Sequence, residues 1–178
     1  PGPHHPYDPT PAYAARFSPD DMPEPIPEVP ADTMLLRQGL GRSVTKVASS
    51  SWYAYKNEGE PTREDFLLHR AYYAALVKQI DDKVGDILDA LREKDQLDNT
   101  VIVFCSDHGD YLGDHGLIGK GTFYEGSTRV PLIVYLPWET ECKVWDGPSS
   151  IEDITATLLH FGGCEIPAYF DSQPLPEL

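Results

Sequence analysis

Five apolar residues, Val101-Ile-Val-Phe-Cys105, run directly into Ser106-Asp107-His108-Gly109. A run this short, unbroken and rich in β-branched side chains reads as a buried strand. It ends in a carboxylate and an imidazole side by side, and open α/β sheets place their sites at the carboxyl ends of strands. A glycine-rich loop follows, with Gly113, Asp114, His115, Gly116 and Gly119 leading to Lys120. Hard oxygen donors with one imidazole suit a divalent cation such as Ca²⁺, Mg²⁺ or Mn²⁺. Lys120 then offers a mobile positive charge to an anionic substrate beside that metal. Spacing alone fits a polar loop that caps a strand equally well.

The elements on either side of this loop set the fold class. Thr62 and Asp65, three apart, form a variant of the capping box, in which a hydroxyl and a carboxylate satisfy the first amides of a helix. Tyr73, Val77, Ile80, Val84, Ile87 and Leu91 then recur every three or four residues, which predicts one amphipathic helix to about Glu93. Asp81 and Asp82 are neighbours on that helix and diverge, so they read as a solvated face and not as a working carboxylate pair. Asp98-Asn99 turns the chain into the strand. Leu132-Ile-Val-Tyr-Leu136, between Pro131 and Pro137, predicts a second buried strand. Ser150 and Asp153 cap a short helix through His160 that stops at Gly162-Gly163. Helix, strand, long loop, strand and helix in that order predict an α/β domain with a largely parallel sheet flanked by helices.

The start of the chain is different. Ten of the seventeen prolines precede residue 33, which rules out a regular helix or a central strand there. Tyr7, Tyr13 and Phe17 give this segment apolar surface to bury. Residues 1–60 are therefore expected as a proline-rich extended or loop segment packing on the domain, with loops around short helices over 33–60. Residues 61–178 form the α/β part.

Composition removes several partners. A net charge of −15 opposes both nucleic acid and anionic membranes, and no apolar run reaches transmembrane length. After Pro137 the sole Lys or Arg is Lys143, and the excess acid there reads as a solvated face. Cys105, Cys142 and Cys164 form no CxxC pair and no zinc pattern, so reduced or buried thiols are expected, with Cys105 as a small core residue. His69 and His160 lie on predicted helices as packing or surface residues. Arg129 is expected in a structural ion pair.

Taken in order, these residues resemble a family. Pro3-His4-His5-Pro6-Tyr7, Ile80-Asp81-Asp82-Lys83-Val84-Gly85, Asp98-Asn99-Thr100 and Ser106-Asp107-His108-Gly109 are similar to segments of the sulfatases of the alkaline phosphatase superfamily. Gly113-Asp114-His115-Gly116, Gly119-Lys120, Tyr124-Glu125, Arg129-Val130-Pro131-Leu132 and Asp153-Ile154-Thr155-Ala156-Thr157 continue the match. The resemblance implies an alkaline phosphatase/sulfatase-like fold and hydrolysis of a sulfate ester to an alcohol and sulfate. It implies that Asp107 and His108 are two ligands of one divalent cation (Ca²⁺, alternatively Mg²⁺ or Mn²⁺). It implies that Lys120 holds the sulfate and that His4 contacts the ester, with His5 in the variable slot of Pro-His-x-Pro. These are the expected catalytic and substrate-binding residues. His115 has no such role and is expected as a loop or supporting residue. The chemistry agrees, since a sulfate ester leaving as an alkoxide needs cations at its nonbridging oxygens and a proton donor near the leaving oxygen.

The departures from the family pattern are specific. Its nucleophile is a formylglycine made from Cys or Ser in Cys/Ser-x-Pro-x-Arg, and none of the three cysteines here begins that motif. The Asp-Asp pair that ends the family's first strand is also absent. The resemblance therefore implies an incomplete fold, the carboxyl-proximal part of a catalytic domain with no nucleophile of its own, inactive alone. Its expected partners are a small-molecule or carbohydrate sulfate ester and the missing amino-terminal part of the same protein. Two alternatives stay open: a phosphonate monoester or phosphodiester hydrolase of the same superfamily, and a noncatalytic domain that binds anions or partners.

Overall fold

The computed structural model describes residues 2–27 and 61–175. The expectation for 33–60 lies outside them. The chain divides into two compact units, one holding the residues up to Asp89 and His108–Arg129, the other Ala90–Asp107 and the residues from Val130 on.

In the first unit a single α-helical turn α1 (Pro11–Ala14), with Pro11 at the first helical position where proline is tolerated, departs from the expected absence of helix. It and a 3-10 turn at Pro19–Asp21 precede the long helix α2 (Arg63–Glu93), whose last residues count with the second unit. The capping box forms as expected: the Asp65 amide donates to Thr62 Oγ1 at 3.2 Å, and the Thr62 amide donates to the Asp65 carboxylate at 2.8 Å. What α2 buries differs from the expected stripe. Leu67, His69, Ala71, Ala75 and Leu76 are buried, whereas Val77 and Ile87 are 44% and 61% exposed. Periodicity finds a line of large apolar side chains but not the stretch of helix that is covered, and here small alanines let other chain come close. Tyr7, Leu76 and Ile118 form the core, with Phe66, Tyr72, Tyr73 and Leu112 packed on it. Asp82 lies on the polar face and is occupied, taking Lys78 and the Tyr13 hydroxyl.

The loop after His108 belongs to this unit. It closes on itself through Tyr111 N–H to Gly119 C=O and Gly113 N–H to Leu117 C=O, both 2.8 Å, while Tyr111, Leu117 and Ile118 are buried. Gly113 has φ +96°, and a Cβ there would sit 2.5 Å from the Phe66 ring, so only glycine serves. The short helix α3 (Glu125–Thr128) follows, with Arg129 paired to Glu125 at 3.3 Å, the structural ion pair expected.

The second unit contains β1 (Ile102–Cys105), β2 (Leu132–Tyr135) and helix α4 (Glu152–Phe161). The two strands pair antiparallel, Ile102 opposite Tyr135 and Cys105 opposite Leu132, which corrects the parallel expectation for this pair. The chain leaves β1 and re-enters β2 at the same end of the ladder, and a parallel pair would need a crossover to the other end. The expected burial also fails. Phe104, Ile133 and Tyr135 are 37%, 61% and 39% exposed, and Cys105 is an exposed free thiol like Cys142 and Cys164. Opposed residues share a face, so Ile102, Phe104, Ile133 and Tyr135 make one apolar face, on which Ile102 is half-buried and the other three are exposed. Below the strands, Leu136 is buried and Trp138 meets the edge of Phe161 at 5.6 Å. Thr157 Oγ1 ties α4 to the chain end, accepting from Leu175 N–H at 2.8 Å. Among the described residues, no helix is long and apolar enough to cross a membrane.

Candidate functional site

Two turns of chain far apart in sequence meet in the first unit. Gly109 donates its N–H to Ser127 C=O at 2.8 Å, and a Cβ on Gly109 would collide with the Gly126 carbonyl. The glycine of Asp-His-Gly is thus required by a close backbone approach that fixes where the loop begins. At the loop's other end, Lys120 Nζ donates to His4 Nε2 at 2.9 Å across 116 residues of sequence. His4 Nδ1 lies 2.7 Å from the His5 carbonyl, so its proton sits on Nδ1 and its Nε2 lone pair faces the ammonium.

The His108 ring stands edge-on to His4 at 5.7 Å between centroids, and the His5 ring lies 4.0 Å from His4. Three imidazoles and one ammonium thus gather in a chain whose net charge is −15. His5 carries the electrostatic mark of this crowding. Desolvation first, then the neighbouring His4, Lys120 and His108, hold its pKa below the ordinary histidine value, against an opposing pull from Asp110. The arrangement places one full positive charge, on Lys120, among three imidazole rings, a setting that can receive an anion.

The structure therefore brings together His4, Lys120 and His108 of the expected residues. Asp107 is exposed and ends the second unit, and the boundary between the units falls at the Asp107–His108 peptide. His108 has the tautomer a metal-bound imidazole needs: Nδ1 donates to the Gly109 carbonyl at 2.8 Å, so the lone pair is on Nε2. Among the described residues no group of three or more His, Cys, Asp or Glu gathers to hold an ion. The chain thus supplies donors of the right chemistry for a hard divalent cation, but fewer than the six or more such ions prefer.

Two residues without an assigned role in the sequence stand behind the expected ones. Asp110 accepts the Tyr7 hydroxyl on Oδ2 at 2.6 Å, and on Oδ1 the N–H groups of Leu112 at 3.0 Å and Gly119 at 3.1 Å. Tyr7 stands in a matched motif and Asp110 directly follows one, yet neither type nor spacing indicates that one carboxylate reaches both turns. His115 has a supporting place as expected, stacked on the Tyr124 ring at 4.2 Å.

Comparison with known proteins covers almost all of these elements. The sulfatase family's sequence profile matches residues 1–164. An arylsulfatase of Clostridium perfringens is 33% identical over 99% of this chain, which spans 35% of that protein. A choline-sulfatase of Rhizobium meliloti is 41% identical over 59% of the chain, equal to 20% of the relative. Among solved structures, a phosphonate monoester hydrolase from Silicibacter pomeroyi superposes with a TM-score of 0.82 at 31% identity, over 97% of this chain and 34% of that one. The chain thus spans about a third or less of the length of each.

Proposed function

This chain belongs to the sulfatase family, and we propose that the whole protein hydrolyses a sulfate ester of a small molecule or carbohydrate, with His4 and Lys120 holding the sulfuryl group. The observation that carries the proposal is the 2.9 Å approach of Lys120 Nζ to His4 Nε2 beside His108. An ammonium that one imidazole already orients is preorganised for the negative charge of a transferring sulfuryl group. Lys120 contacts a nonbridging oxygen. His4 lies next to it, where its imidazole can contact the ester oxygens. Asp107 and His108 would hold a divalent cation, which when bound withdraws charge from the ester oxygens. The remaining ligands and the nucleophile come from outside residues 1–178, and residues 61–178 act as the carboxyl-proximal part of a catalytic domain on which segment 1–60 packs. The rest of that domain's sheet is, in this reading, largely parallel.

The test is Lys120→Ala in a whole protein that carries this chain. kcat/KM should fall by ~10²-fold or more, the loss expected for one preorganised donor, while thermal stability changes little, as for other surface lysines. Lys120→Arg should recover little, because a planar fork does not replace a compact ammonium. Near-normal kcat/KM in Lys120→Ala would remove the assignment. The cation has its own check: titrated calorimetrically into the present chain alone, Ca²⁺ should bind more weakly than micromolar, since two ligands cannot enclose it.

The likeness to the phosphonate monoester hydrolase favours a second reading, hydrolysis of a phosphonate monoester or phosphodiester. Both reactions transfer a tetrahedral anion past the same cations. Comparing kcat/KM for an aryl sulfate and an aryl phosphonate monoester separates them.

A further inference from the structure

The Asp110 carboxylate is bonded in two directions, and each leads to one half of the proposed anion site. Toward the chain start, Oδ2 takes the Tyr7 hydroxyl at 2.6 Å. Tyr7 is 4% exposed, its ring 5.3 Å from His69 and 6.2 Å from Tyr73. It directly follows the turn that carries His4 and His5. Toward the loop end, Oδ1 takes the Gly119 amide at 3.1 Å, one residue before Lys120, and Gly119 C=O in turn receives Tyr111 N–H at 2.8 Å. Lys120 and His4 are themselves exposed. An exposed lysine on a flexible stem holds a single position only when its backbone is held, and the Gly119 amide and the Tyr7 hydroxyl meet at one carboxylate.

We propose that Asp110 and Tyr7 are positioning residues that set the approach of Lys120 to His4, and with it the site's grip on a sulfuryl group; the second half of this statement rests on the sulfatase reading above. The hydrogen bond from Tyr7 is charge-assisted and half-buried, the kind that fixes geometry most firmly. Neither residue touches the reacting atoms. They act through the pair they hold.

The experiment has two arms. In the chain itself, ¹⁵N shifts of the His4 ring are compared among the parent, Lys120→Ala, Tyr7→Phe and the double variant. Tyr7→Phe keeps the buried ring and loses only the hydroxyl, so it should reproduce most of the Nε2 shift of Lys120→Ala, and the double variant should add nothing further. Asp110→Ala, which cuts both directions, should do the same if Tyr7→Phe fails to fold. Asp110→Asn, which keeps an acceptor for Gly119 and an amide against the hydroxyl, should restore most of the parent shift. A folded Tyr7→Phe or Asp110→Ala chain whose His4 ring keeps its parent shifts overturns the proposal.

In the whole protein, Tyr7→Phe should lower kcat for an aryl sulfate by about 10-fold with KM nearly unchanged, since small misplacements of positioning groups cost that much or more. In the Lys120→Ala background the same substitution should cost less than about 2-fold, because positions acting through one group do not add. Equal losses in both backgrounds would overturn the positioning role. If Lys120→Ala itself left kcat/KM intact while the His4 shifts behaved as stated, the sulfatase reading would fall and the structural coupling would stand.

Discussion

The loop from His108 to Lys120 and the β1–β2 pair that flanks it in sequence are held by opposite means. In the loop a network of backbone hydrogen bonds and the Asp110 carboxylate hold the chain, and its buried apolar residues, Tyr111, Leu117 and Ile118, are few. In the sheet the backbone ladder is regular, yet Phe104, Ile133 and Tyr135 stand in solvent. Apolar patterning normally marks what is buried and polar loops what is free. Here the polar loop is the over-determined part and the apolar strands are the loosely covered part. A site that must hold an ammonium against an imidazole needs directional contacts, which hydrogen bonds supply and apolar burial does not.

The sharpest way to break this contrast is Asp114→Ala. Asp114 accepts Arg70 Nη2 at 2.5 Å and the Ile26 amide at 2.8 Å, while Arg70 Nε donates to Leu112 C=O at 3.0 Å. The two side chains are 13% and 22% exposed, so little solvent is at hand to replace a lost partner. Removing the carboxylate strands a largely buried guanidinium and should cost roughly 3–5 kcal/mol in denaturant unfolding. Replacing both partners, Arg70→Met with Asp114→Ala, should cost less than the single change. A loss under about 1 kcal/mol would mean that the loop is held by its apolar residues after all.

Acid probes the same unit through His69. Burial holds its pKa down at about 4, from 6.5 in the open chain. The unfolded state therefore takes up the proton first as pH falls. His69's contribution is fully present above pH 6.5 and is lost on the way down to about pH 4, below which it changes no further. The shift corresponds to about 3 kcal/mol across that window. His69→Gln should flatten the fall in unfolding free energy between pH 7 and pH 4 relative to the parent. Parallel curves for the two proteins would place the acid sensitivity elsewhere.

These contrasts also mark what was legible in the sequence. Helix α2 and its cap were, because Thr62 and Asp65 act within one turn and local chemistry decides them. That His4 and Lys120 belong to one site is implied only by the resemblance to a family, since no periodicity links residues 116 apart. Asp110 gives no sequence signal for a related reason: its partners are a hydroxyl from the chain start and two backbone amides, and amides leave no mark on a sequence. Strand direction went wrong because the pattern of apolar residues in Val101–Cys105 and Leu132–Leu136 is the same for either orientation. Burial went wrong because an apolar run says that a strand can be covered, not what covers it.

The exposed strand face carries the smallest expected effect and the finest test of the comparison. Ile133 pairs across the ladder with Phe104, and it is 61% exposed. A core isoleucine replaced by a polar residue of similar shape loses both transfer energy and packing, at a cost of 2 kcal/mol or more (roughly, by analogy with core truncations). An exposed one loses neither, and threonine keeps the β-branch that suits a strand. Ile133→Thr should therefore change the unfolding free energy of this chain by no more than about 0.5 kcal/mol. It should also lower any concentration-dependent self-association, because an apolar strand face beside open edges invites pairing. The measurement is denaturant unfolding of parent and variant at one protein concentration, with sedimentation run alongside. A loss above about 1.5 kcal/mol in monomeric protein would show that the Phe104–Ile133 face is packed in solution. The sheet would then be as firmly held as the loop, and the difference between the two regions would lie only in the kind of contact each uses.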